Sequence, residues 1–221
     1  MVSISRLGIF AFALSAFALT GTIASADQST MTQIAAAKPS ADTKAAQLRS
    51  ALDQLLGEHV QLAADATNAA LNGRDGEFKA AAAALDANSV DISNAIGSVY
   101  GKYAGEAFLG LWRSHINMVV EYTVGTASKD KAKQDKAVND LMQYTKDFGA
   151  FLNSANPNLP QDAVADLVKH HAVTLKAVID AQASGDQTKA YMALRAAYGH
   201  MAMIAEALAE GIVKQFPKKF G

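Results

Sequence analysis

AFLGLWRSHINMVVEY, residues 107–122, decides how this chain folds. Phe108, Leu111, Trp112, His115, Met118 and Tyr122 recur at steps of three and four, the period of one helix face. A histidine stands in the middle of that apolar stripe. The stripe occurs twice more, as Leu52, Leu55, Leu56, His59, Leu62 and Ala66, and as Val164, Leu167, Val168, His171, Leu175 and Val178. His59, His115 and His171 are each 56 residues apart, and the register extends around them without a gap. Ala51, Ala107 and Ala163 align, as do Leu52, Phe108 and Val164, then Leu55, Leu111 and Leu167. In the segments between, Leu85, Leu141 and Ala197 align, followed by Ile92, Phe148 and Ile204, then by Ile96, Leu152 and Leu208. Self-similarity at a fixed period is the mark of a repeated supersecondary unit.

The breaks agree with helices. Gly73, Gly101 and Gly185 fall where helices should end, and Pro160 suits the start of the next one. Asp75, Ser128 and Asp186 are candidate caps. Six helices are expected, near 42–72, 75–100, 104–127, 129–153, 160–184 and 187–215. The expected fold is all-α: three tandem 56-residue antiparallel hairpins, about 42–101, 102–157 and 158–215, forming a six-helix up-down bundle or a short hairpin array. Residues 216–221 are a short tail.

The beginning of the chain reads differently. One base, Arg6, precedes an almost wholly apolar run over 7–20, and Ala24-Ser25-Ala26 offers the small residues of a cleavage site. Residues 1–26 are therefore expected to be a signal peptide, and 27–41, rich in Ala, Ser, Thr and Gln, a flexible leader. A periplasmic or secreted protein follows, with no integral membrane segment after cleavage. The chain has no cysteine, which excludes a disulfide framework. Without residues 1–26 it carries 19 basic and 21 acidic residues, a net charge of −2 that gives no footing for nucleic acid.

The hairpin geometry predicts a polar layer. Each turn lies close to 14 residues after its histidine, so the returning helix should bring Asn88, Tyr144 and His200 back to the histidine's height. One turn further on come Asp91, Asp147 and Met203. The layer is thus expected to pair His59 with Asn88/Asp91, His115 with Tyr144/Asp147, and His171 with His200/Met203. Duplicated His–Asp pairs that fix helix register would account for the first two. The third repeat instead replaces the aspartate with a second histidine and a methionine, donors that suit copper. The favoured expectation is an exported copper-binding bundle without catalysis of its own. His59, His115, His171, His200, Asp91, Asp147 and Met203 are its candidate ligands, with Met118 and Met201 as lesser sulfur donors. Zinc is an alternative ion, and a haem b bundle, a structural or partner-binding bundle and a metal-dependent oxidase or peroxidase are alternative classes. His170, next to His171 on the helix, should turn about 100° away toward solvent.

Other chemistry lacks its motif. The chain has no Glu-x-x-His of the di-iron bundles, no His-Glu-x-x-His, no Cys-x-x-Cys-His, no glycine-rich phosphate loop and no Gly-x-Ser-x-Gly. In general plan it is similar to bacterial copper-binding and cytochrome-like bundles, with no motif that assigns it to either. If His59 and His115 lie beside carboxylates, their pKa values should be raised.

Overall fold

A computed structural model describes residues 43–220. The expected signal peptide at 1–26 and leader at 27–41 lie outside the described residues, as does Gly221. The described residues form an all-α bundle, about 90% helical, with no strand among them. The helices are α1 (Lys44–Leu71), α2 (Asp75–Tyr100), α3 (Lys102–Ala127), α4 (Lys131–Ala155), α5 (Gln161–Ala183) and α6 (Gln187–Gln215), followed by the short α7 (Pro217–Phe220).

Two circles of packing organise them. Each helix packs on its successor, and α6 returns to pack on α1, which closes a ring. Within that ring α1, α3 and α5 also pack on one another, whereas α2, α4 and α6 each pack along their length on the two inner helices that flank them. The helices that carry His59, His115 and His171 therefore sit innermost. Their apolar stripes supply much of the core, including Leu52, Leu56 and Val60 of α1, Phe108 and Trp112 of α3, and Val164, Val168 and Leu175 of α5. Each fully buried Leu or Val stabilises the fold by about 1.5–3 kcal/mol, which is why the stripes converge.

Three turns share one construction. Gly73, Lys129 and Gly185 adopt left-handed φ values of 65°, 57° and 74°. In each case the next N–H reaches five residues back. Arg74 donates to the Ala69 carbonyl, Asp130 to Gly125 and Asp186 to Ala181, at 2.9, 2.8 and 3.1 Å. This is the Schellman closure of a helix C-terminus. The next helix then starts on a cap in two of the three turns. Asp130 accepts from Lys133 N–H and Asp186 from Lys189 N–H, but Arg74 provides no side-chain cap. The expected caps are thus partly displaced. Ser128 closes α3 by donating its hydroxyl to the Val124 carbonyl, and Asp75 is the first residue inside α2.

Small residues allow consecutive helices to cross closely. Ser93 Oγ donates to the Gly105 carbonyl at 2.8 Å. At the corresponding place 56 residues on, Gly149 lies so close to Gln161 that a Cβ would stand 2.4 Å from its carbonyl oxygen.

Candidate metal centre

The inner helices carry His59, His115 and His171 to a common point. All three are buried, with 1%, 4% and 6% of their surface exposed. His59 and His115 place their Nε2 atoms 3.3 Å apart. Ring centroids are separated by 5.3 Å for His59–His115, 5.8 Å for His59–His171 and 6.4 Å for His115–His171. One nitrogen from each of the three lies within 4.8 Å of the others.

The surroundings are apolar and aromatic. Trp112 sits with its ring centroid 4.8 Å from His59 and 4.7 Å from His115, and Tyr144 lies 5.2 Å from His115. A cavity of about 30 Å³ runs among His115, His171, Trp112, Tyr144, Phe148 and Met201. A second opening, about 50 Å³, leads from the half-exposed Val120 and Val124 past Thr123 to His59 and His115.

Many polar atoms here lack a partner. His59 Nδ1, His115 Nδ1, both nitrogens of His171, Trp112 Nε1 and Tyr144 Oη are buried without a hydrogen bond. Each such atom costs about 1–3 kcal/mol of lost hydration. Burial pushes His115 down to about 3 and His171 down to about 4, and holds His59 well below the ordinary histidine value. The neighbouring histidines add repulsion in the same direction. Neutral imidazoles with free lone pairs are the form that ligates a metal.

The expected single layer separates into a centre and a periphery. Asn88 and Tyr144 are buried at the predicted height, but Asn88 donates to the Leu55 carbonyl at 3.0 Å and to Glu58 at 2.9 Å rather than to His59. Asp91 and Asp147 are exposed, and Asp147 accepts from Gln143 at 3.0 Å. Met203 is 57% exposed. Placing these three on the core face is therefore corrected. Each stands one residue before a core residue (Ile92, Phe148 and Ile204) and so turns about 100° from it. Without the carboxylates, the expected upward pKa shift of His59 and His115 also reverses. His200 is buried, but its Nε2 engages the Leu167 carbonyl at 2.8 Å rather than the triad. Of the lesser sulfur donors, Met201 is buried beside the triad and Met118 is partly exposed.

Two features escaped the sequence reading. His170 is exposed as expected, yet its ring centre stands 4.3 Å from that of His200. Trp112 does pack in the core, but against both His59 and His115. Its place one turn before His115 on the same stripe was the available signal for that. No helix among the described residues is long and apolar enough to cross a membrane. Comparison with protein-family models, with curated proteins and with solved structures gives no match.

Proposed function

We propose that this bundle binds a metal ion, copper foremost, through His59, His115 and His171, and handles the ion without catalysis of its own. The observation that carries the proposal is the meeting of three buried imidazoles in an apolar core, each with a ring nitrogen within 4.8 Å of the other two. Imidazole nitrogens held about 2.0–2.1 Å from one ion stand roughly 3.3–3.6 Å apart. His59 and His115 already have that spacing, and a nitrogen of His171 lies within 4.8 Å of both. An ion would give His171, neither of whose nitrogens has a partner, a bond that the His59–His115 contact leaves it without.

The surroundings favour a low charge. None of the candidate carboxylates approaches the triad, and burying an uncompensated divalent ion costs far more than burying a monovalent one. Cuprous copper accepts three neutral imidazoles with the least charge to bury, and zinc is the alternative. The cavity admits one ion or water, well below the 300–1,000 Å³ of a pocket for a large organic ligand, which argues against haem b.

In this reading the bundle consists of three tandem 56-residue hairpins. The identical turns at 73, 129 and 185 support that repeat. An export signal at 1–26 would deliver the protein to an oxidising compartment.

A second reading rests on the 3.3 Å contact itself. One Nε2–H can donate to the other Nε2, so the triad could serve only to fix the packing of the inner helices. The two readings part in one experiment. Elemental analysis and an ultraviolet–visible spectrum are taken on protein purified without chelator or histidine tag, beside the His115→Ala/His171→Ala variant. Near-stoichiometric metal lost in the variant supports the proposal. A bare protein that also refuses added Cu(I), Cu(II) and Zn(II) leaves the structural reading.

A further inference from the structure

His170 and His200 lie outside the triad and meet across the α5–α6 pair, their ring centres 4.3 Å apart and their planes inclined by 50°. His170 is exposed, and His200 is 6% exposed. His200 Nε2 stands 2.8 Å from the Leu167 carbonyl. A carbonyl only accepts, so Nε2 carries the proton and Nδ1 keeps the lone pair. Proteins orient ligating imidazoles with this arrangement.

The plainer explanation is that His200 merely anchors α6 to α5. Asn88 answers it, because at the corresponding place its amide makes the same contact with the Leu55 carbonyl at 3.0 Å. Anchoring therefore does not require an imidazole. A histidine there adds a basic nitrogen that an amide lacks, beside another histidine at the surface.

The position of the pair also matters. His170 is the covalent neighbour of His171, and His200 is near enough for its charge to lower the pKa of His171. Within the triad, His171 lies 5.8 Å from His59 and 6.4 Å from His115, centre to centre. The five histidines of the chain thus form two groups, a pair toward solvent and a triad on the innermost helices, joined in sequence at His170–His171.

We infer that His170 and His200 form a surface capture site for the cation that the triad holds, a cuprous ion by the argument above, and pass it inward. The inference rests on reading the triad as an ion site.

The test uses Trp112, the single tryptophan, whose ring lies 4.8 Å from His59 and 4.7 Å from His115. Purified protein is mixed anaerobically with Cu(I) supplied as its acetonitrile complex, and the change in Trp112 fluorescence is followed in time. His170→Ala and His200→Asn are compared with wild type; the asparagine retains a donor for the Leu167 carbonyl. The expected result is an unchanged final amplitude reached roughly tenfold more slowly in both variants. Wild-type loading rates in both would overturn the capture site. If wild-type fluorescence does not move and no copper is retained, the triad reading fails instead. The imidazole ¹⁵N resonances of His170 and His200 then decide the pair alone. Shifts on adding Cu(I) keep it as an ion site, and unshifted resonances overturn it.

Discussion

His59 and His115 meet Nε2 to Nε2 at 3.3 Å, inside a core where neither finds a carboxylate. Two imidazoles at that distance cannot both be charged. The folded protein therefore holds them neutral, while the unfolded chain protonates them near pH 6.5.

Acid sensitivity follows directly. All three triad histidines have lowered folded pKa values, with His115 near 3 and His171 near 4. Their contribution to stability is full above the unfolded value of about 6.5. As pH falls below it, the unfolded state takes up protons that the folded state refuses. Three such groups titrating together cost about 4 kcal/mol per pH unit until the folded pKa values are reached. Metal-free protein should show a steep fall in its urea midpoint between pH 6 and pH 5. A flat profile across that interval would contradict the buried neutral triad.

Tyr144 should be better without its hydroxyl. The group is buried beside His115 and has no partner. Tyr144→Phe keeps the ring and removes the orphaned donor, so the metal-free protein should gain about 1 kcal/mol. Loss of stability in urea titrations would show that the hydroxyl is satisfied after all.

The turns offer a comparison within one molecule. Lys129 adopts φ 57° where the other two turns have glycine. The left-handed region costs a residue with a Cβ about 1–2 kcal/mol, part of which glycine's greater unfolded freedom offsets. Lys129→Gly should stabilise by about 0.5–1 kcal/mol. Arg74→Asp should add about 1 kcal/mol by supplying the cap that Asp130 and Asp186 provide in the other two turns. Thermal melts at neutral pH read both changes, and a destabilised Lys129→Gly would contradict the strain argument.

Two glycines should respond to alanine with opposite signs. A Cβ at Gly149 would lie 2.4 Å from the Gln161 carbonyl oxygen, whereas one at Gly110 meets nothing within 4 Å. Gly149→Ala should cost about 1–3 kcal/mol through forced separation of α4 and α5. Gly110→Ala, on the exposed face of α3, should gain about 0.5–1 kcal/mol from helix propensity. Equal effects at the two sites, by denaturant midpoint, would overturn the close crossing.

The helices were legible from local signals. Periodicity marked six segments, and the glycines at 73 and 185 stood where left-handed closure demands a residue without Cβ. Lys129 was harder to read, since nothing in a lysine announces positive φ; only the 56-residue spacing placed it with the other two turns. The centre was legible on the inner helices for the same reason, because a histidine on the apolar stripe goes wherever the stripe goes.

The outer helices were legible only to within one residue. Asn88 and Asp91 are three residues apart, and helix geometry alone allows both on a broad buried face. How broad that face is depends on how many neighbours cover it. α2, α4 and α6 each pack along their length on just two of the other long helices, so their buried stripe is narrow, and Asp91, Asp147 and Met203 fall outside it into solvent. α1, α3 and α5 are covered on more sides and keep His59, His115 and His171 dry. The order of residues settled roughly where helices begin and end, because those are backbone preferences acting within a few residues. The arrangement of six helices in a closed ring settled which polar groups meet, because burial depends on neighbours far along the chain.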